Sequence, residues 1–420
     1  MSAALAAYRL LTGAAEPFAP ALLRARARRG KEDPARLPER LGREPGERPP
    51  GRLIHLHGAS VGETLSLLPL VEALRAAAPD ISLLVTSGTV TSAKLLAERL
   101  PIGVPHRYAP LDAPRAVARW VRWWRPQLSV FVESEIWPNW LAALRAGGAQ
   151  TALVSARLSD DSLRGWGRAP GAARAVLGGF DLVAAQDDRT AAALAALGAR
   201  DDARLNLKLA GGALPVDPAA LAGVRAQIGP APVLVAASTH EGEEAIVLDA
   251  FARMARPDAV LVIAPRHPER GRAVVDMGRT RRLTVALRSA GFAPHPGEVH
   301  VADTLGELGL WFALAAKGGS TLVGGSLVEG VGGHNPLEPL RAGAAVVRGP
   351  HVDNWENVHA TLGDAAPVVE DAAALAQAWT ADLAEPQAAR GRTEAALERL
   401  RDVDADVHTL AGRLLALLTA

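Results

Sequence analysis

The chain has 420 residues, with 46 basic against 45 acidic side chains and no cysteine. That length exceeds the size at which one hydrophobic core stops growing, and it predicts two domains. The balanced charge excludes a chain-wide nucleic-acid surface, and the lack of cysteine excludes disulfides, thiolate metal sites and a cysteine nucleophile.

In chain order, the first element is an apolar stretch over 2–23, interrupted by Arg9, Glu16, Pro17 and Pro20, which makes it a poor membrane-spanning helix. Arg24, Arg26, Arg28, Arg29 and Lys31 follow it. An apolar segment beside a basic cluster suits an interfacial anchor on an anionic leaflet, the plainer alternative being a signal-like or merely solvated helix. Residues 1–36 are therefore read as a membrane-associating segment.

Short apolar runs then alternate with helical patterns, the signature of parallel βαβ architecture. Candidate strands are Leu53–Leu56, Ile81–Thr86, Leu128–Val132, Thr151–Val154 and Asp181–Ala185, with amphipathic stretches at Leu65–Ala78 and Ala113–Trp124. Residues 210–232 are rich in Gly and Pro and read as a linker. A second series follows at Val233–Ala237, Ala259–Ala264, Val299–Ala302, Thr321–Val323, Ala344–Val347 and Val368–Val369, closed by a helical pattern around Gln387–Leu418. The expected fold class is α/β with two Rossmann-like domains, 37–209 and 233–420. Ligands are expected at the carboxyl ends of the strands, in the cleft where the sheets face each other.

Four stretches carry chemistry. HGASVGE (His57–Glu63) sits between a strand and a helix. Ser60 and Glu63 have capping-box spacing, yet a carboxylate at the end of the first strand is also placed to take a proton from a hydroxyl. In VESEIWPN (Val132–Asn139), Glu133 and Glu135 would point to opposite sides of an extended chain, and Trp137 reads as packing more than stacking.

STHEGEE (Ser238–Glu244) and APRHPER (Ala264–Arg270) each follow a strand. The Arg266 fork suits phosphate oxygens, and no metal-ligand spacing is present, so no catalytic metal is expected. GGSLVEGVGGHNPLEP (Gly324–Pro339) offers close backbone approach at its glycines, Asn335 as N-cap and Pro336 at the first helical position, a phosphate-attracting helix start. Glu338 either completes the cap or accepts ribose hydroxyls.

Taken with SARLS (Ser155–Ser159), AQDD (Ala185–Asp188) and GPHVDN (Gly349–Asn354), these motifs stand in an order and spacing that resembles the lipid A 3-deoxy-D-manno-octulosonic acid (Kdo) transferases, over about residues 38–360. The resemblance implies a GT-B fold and inverting transfer of Kdo from CMP-Kdo to the lipid A precursor in lipopolysaccharide core synthesis. It further implies no cofactor and a place on the cytoplasmic face of the bacterial inner membrane. It implies Glu63 as general base, Glu133 and Lys208 as transition-state stabilisers, and CMP contacts at Pro265, Arg266, Gly306, Glu307, Asn335, Pro336, Leu337 and Glu338. The domain 37–209 would then bind the acceptor and 233–420 the donor.

The pattern departs at Ser155, where the family usually has Asn, and at Leu205–Ala210 around Lys208, where a glycine and an acid are missing. Another nucleotide-sugar transferase of the same fold, or a catalytically silent sugar-nucleotide binder, are the competing readings.

Overall fold

A computed structural model describes residues 2–44 and 46–419. These fall into two compact units, Met1–Gly211 with Asp402–Ala420, and Gly212–Arg401.

The first unit carries β1 (Leu53–His57), β2 (Ser82–Ser87), β3 (His106–Tyr108), β4 (Leu128–Val132), β5 (Gln150–Ala156), β6 (Leu182–Ala185) and β7 (Ala203–Arg204). They pair in parallel in the order β3-β2-β1-β4-β5-β6-β7. The chain starts in the middle at β1 and reverses direction across the sheet at β4, so β1 and β4 flank a switch point, the place where such sheets open a crevice at their carboxyl ends. Successive strand residues go to opposite faces and both faces are covered, which is why the strands read as unbroken apolar runs. Leu53, Phe131 and Leu153 pack with Trp120, Trp124 and Trp140 on one face. On the other, Leu56, Val130 and Val132 meet Leu67, Leu70 and Val71 of helix Val61–Ala77 and Val407, Leu410 and Leu414 of the closing helix.

The second unit carries β8 (Val233–Thr239), β9 (Val260–Pro265), β10 (Val285–Leu287), β11 (Val299–Val301), β12 (Ser320–Val323) and β13 (Ala345–Arg348). Their order is β10-β11-β9-β8-β12-β13, again all parallel. The switch point lies between β8 and β12.

The α/β reading with two parallel sheets holds, and the structure amends it in detail. Strands β3, β7 and β10 are too short to stand out in the sequence, and of Val368–Val369 only Val368 makes a single bridge, to Arg348. The stretch taken as linker contains helix Pro218–Ile228, capped by Asp217 and packed into the second unit through Val224 and Ile228. The closing helix Pro386–Ala416 does not belong wholly to the second unit, because its tail supplies apolar side chains to the first. Residues 1–36 are likewise no separate segment. Helix Ala3–Ala15 is tied down by the Tyr8 hydroxyl donating to Asp112 (2.9 Å), and the buried Glu16 accepts the Arg115 amide (3.0 Å).

Candidate active site

In the first unit, the loop after β1 turns directly into helix Val61–Ala77. Ser60 caps it, its hydroxyl accepting the Glu63 amide (3.3 Å) while Glu63 Oε2 accepts the amides of Ala59 (2.6 Å) and Ser60 (3.2 Å). Both of those bonds fall on Oε2. The capping reading of Glu63 is thus realised, and Oε1 remains the oxygen available to a proton. Gly58 is required here, since a Cβ would sit 3.0 Å from the Glu63 backbone carbon and Cβ. Burial, then the charges of Glu135 and Glu133, push the Glu63 carboxyl above its ordinary value despite the two backbone donors. That is the direction that suits a base.

Glu133 follows β4 with φ 52°, a left-handed turn rather than an extended strand. The two acids of VESEIWPN therefore do not alternate along an extended strand, and both are buried, Glu133 beside Lys208 and Glu135 beside His57. Lys208 Nζ lies 2.8 Å from Glu133 Oε1, an ion pair shielded from solvent and not an aligned hydrogen bond. Lys208 comes from a short 3-10 turn, Leu207–Leu209, beyond β7 at the sheet's edge, and its Cε is 4.0 Å from where a Gly62 Cβ would stand. What brings it across is Ser155, at φ 50° in the irregular end of β5. Its hydroxyl accepts the Leu207 amide (3.2 Å) and the Gln186 side-chain amide (3.2 Å), while Asn206 Oδ1 accepts the Lys208 amide (3.0 Å). The two departures from the expected pattern therefore touch each other, and the altered segment still delivers Lys208 to Glu133.

Behind Glu135 runs a buried chain of hydrogen bonds: Ser129 Oγ to His55 Nδ1 (3.2 Å), His55 Nε2 to Thr86 Oγ1 (2.8 Å), Thr86 Oγ1 to His57 Nδ1 (2.8 Å) and His57 Nε2 to Glu135 Oε2 (3.0 Å). Trp137 Nε1 donates to the same oxygen (2.7 Å). Burial would raise Glu135, but the His57 and Trp137 bonds outweigh it and hold the carboxyl below its ordinary value. Trp137 is 37% exposed, and the packing role expected of it falls to Trp140, which is 1% exposed.

In the second unit the expected donor contacts follow the carboxyl ends of three strands of the sheet, β11, β9 and β12, with β8 lying between the last two. Pro265 ends β9 and Arg266 follows it, exposed, with its amide donating to Thr239 (2.9 Å). Gly306 (φ 85°) and Glu307 precede helix Leu308–Ala315, where Arg288 Nη2 pairs with Glu307 Oε1 (2.7 Å) and holds that carboxyl low. Asn335 Oδ1 accepts the Leu337 amide (3.0 Å), but the helix it opens, Leu337–Arg341, has only five residues. So short a helix has little dipole, which weakens the expected phosphate-attracting terminus. Pro336 and Leu337 are buried and Glu338 is partly so.

The sequence reading missed what holds this edge together. Glu243, fully buried, accepts four backbone amides: His240 (2.8 Å) and Gly325 (2.7 Å) on Oε2, Ser326 (3.0 Å) and Leu327 (2.9 Å) on Oε1. It clamps the glycine-rich loop after β12 to the loop after β8. Gly325, at φ 68°, has no room for a side chain, because Val331 Cγ1 stands 2.7 Å from its would-be Cβ. His240 and His334 also meet there, Nε2 to Nε2 at 2.8 Å. The acids of STHEGEE were visible in the sequence, but no spacing says that one reaches over 80 residues ahead. Among the described residues no group of three or more His, Asp or Glu could hold a metal.

Residues 35–210 match the family model described as 3-Deoxy-D-manno-octulosonic-acid transferase (kdotransferase). The chain is 35% identical over 383 residues to the 3-deoxy-D-manno-octulosonic acid transferase of Bordetella pertussis, covering 86% of each chain. It is 31% identical over 374 residues to a probable mitochondrial 3-deoxy-D-manno-octulosonic acid transferase of Arabidopsis thaliana, covering 86% of this chain and 83% of that one. A glycosyltransferase crystal structure from Rickettsia africae superposes with a TM-score of 0.58 at 12% identity, covering 87% of this chain and 98% of that one, which shows a shared two-Rossmann fold.

Proposed function

From the chain's membership of the 3-deoxy-D-manno-octulosonic acid transferase family, which makes it a glycosyltransferase of lipopolysaccharide biosynthesis, we propose that it moves Kdo from CMP-Kdo to a lipid A precursor with Glu63 as general base. The observation that carries the mechanism is the meeting of Glu63, Glu133 and Lys208 from three distant parts of the sequence at the carboxyl ends of β1 and β4.

Glu63 Oε1 takes the proton of the acceptor hydroxyl as its oxygen attacks the anomeric carbon. The bond from that carbon to the CMP phosphate oxygen breaks on the opposite face, CMP leaves with the electron pair, and the configuration inverts. Positive charge gathers on the sugar in the transition state, and the Glu133 carboxylate, held by Lys208, stabilises it. CMP is a good leaving group, so positioning and base catalysis carry the reaction without a covalent intermediate. Pro265, Arg266, Gly306, Glu307 and Asn335 to Glu338 hold the donor, Arg266 through its bidentate fork on the phosphate.

The lipid acceptor places the enzyme on the cytoplasmic face of the bacterial inner membrane. Leu10, Leu11, Phe18 and Leu22 are 59–74% exposed beside the exposed Arg9, Arg24, Arg28, Arg29 and Lys31, the apolar-plus-basic pairing an anionic leaflet attracts. Among the described residues no helix is long and apolar enough to cross a membrane, and the attachment we propose is interfacial.

The test is incubation with CMP-Kdo generated in situ and a lipid A precursor, followed by mass analysis. The reading predicts product heavier by Kdo units. Binding of CMP without turnover would point instead to a silent paralogue, and turnover of a UDP-sugar alone to a different transferase.

A further inference from the structure

The first unit contains a groove that none of this chemistry uses. It is a cavity of about 430 Å³ between helix Pro114–Trp124 and helix Pro138–Ala146, with Val117, Val121, Ala142, Ala143 and Ala146 along it. Its lining runs the length of the first helix, from Pro114 to Arg125 just past its end, roughly 15 Å along the axis at the α-helical rise. An elongated trough floored by small aliphatic side chains fits a flexible hydrocarbon chain better than a compact ring.

Three guanidinium groups stand at its rim, Arg9, Arg122 and Arg125, all exposed. None has an acidic partner among the described residues. Unneutralised cations over an apolar floor are complementary to an anionic amphiphile, headgroup at the rim and tail within. Arg9 also lies on helix Ala3–Ala15, which carries the exposed Leu10 and Leu11 assigned to the membrane, so the groove and that segment share an element.

We propose that this groove is a lipid site that takes one acyl chain of an anionic bilayer phospholipid, with the phosphate held by Arg9, Arg122 and Arg125. The site rests on the membrane reading above but makes a separate claim. Interfacial attachment needs only the exposed stripe, whereas the groove draws a single lipid out of the leaflet.

The experiment uses the full chain and a short-chain phosphatidylglycerol with a diazirine on its acyl chain, kept monomeric, with cross-links mapped by peptide mass spectrometry. Cross-links within 117–126 and 139–147 are expected. They should fall about tenfold in Ala142→Trp, which fills the groove from an exposed position, and in Arg122→Ala/Arg125→Ala, with phosphatidylcholine labelling weakly throughout. Circular dichroism melting of each variant confirms that it is folded. Cross-links confined to 3–27, or labelling unchanged in folded Ala142→Trp, would overturn the proposal. Sedimentation of the wild type with phosphatidylglycerol vesicles tests the membrane reading by itself: if it fails while the groove still labels, only that reading falls.

Discussion

Lys208 reaches Glu133 at 2.8 Å only because Ser155, two strands away from the edge strand that precedes Lys208, binds the Leu207 amide. The pair is shielded enough that removing one partner strands a charge. Lys208→Met and Glu133→Gln should each lower kcat/KM by about 100- to 1,000-fold, the usual loss for one group stabilising developing charge. The double variant should fall little further, because residues acting as a unit are not additive. Steady-state rates of the four proteins decide it, and strictly multiplicative losses would separate the two roles.

Glu243→Gln keeps the size of the side chain but replaces one acceptor oxygen by a donor facing backbone amides. Each oxygen accepts two amides, so two of the four bonds are lost whichever oxygen is replaced, in a fully buried place and at a cost of about 1–3 kcal/mol each. We expect a lower melting temperature and weaker CMP binding by calorimetry, with acceptor binding unchanged. A variant that melts like wild type would show that the loop after β12 does not depend on this clamp.

The α/β class and most strands were legible because parallel strands covered on both faces give unbroken apolar runs, as in β8 and β9. Glu63 and Glu133 could be singled out from their place after candidate strands, but Lys208 only through the resemblance. Nothing in their spacing predicts that an edge-strand turn folds back to β5, since that depends on the buried hydroxyl of Ser155 in a left-handed conformation. The closing helix was assigned to one unit because helical periodicity reports a buried stripe but not which core receives it. The alternation expected of Glu133 and Glu135 does not apply because β4 ends at Val132 and the chain turns to a positive φ at Glu133.

Glu44 offers a pH signature. Its side chain is buried with Arg107 Nε 3.6 Å from Oε2, and burial pushes the carboxyl up to about 7, against the pull of Trp124 and Arg107. A carboxyl raised in the folded state favours folding at low pH. That contribution is complete below the ordinary value near 4.5 and is lost as pH rises through about 7. Glu44→Gln should therefore melt higher than wild type at pH 8 and lose that advantage by pH 5. A gap that does not narrow toward pH 5 would contradict it.

Because Tyr8 and Glu16 tie the first helices to the core, deleting them would damage the fold, and surface changes test the membrane face more cleanly. Replacing the exposed Leu10, Leu11 and Phe18 by Ser should abolish sedimentation with phosphatidylglycerol vesicles while sparing turnover of a soluble, short-chain acceptor. Added salt should weaken the wild type's attachment, since the basic part is screened. Unchanged sedimentation would move the attachment surface elsewhere.

The role of Glu63 is the most exposed claim, and Glu63→Gln isolates it, because Gln completes a capping box as Glu does and leaves the helix start intact. The decisive measurement is single-turnover transfer from CMP-Kdo by this variant, alongside calorimetric titration with CMP. The expected result is a rate lower by about two to four orders of magnitude, the range for loss of a general base, with CMP affinity unchanged. A rate within a few-fold of wild type would leave Glu63 as a helix cap alone and contradict the mechanism.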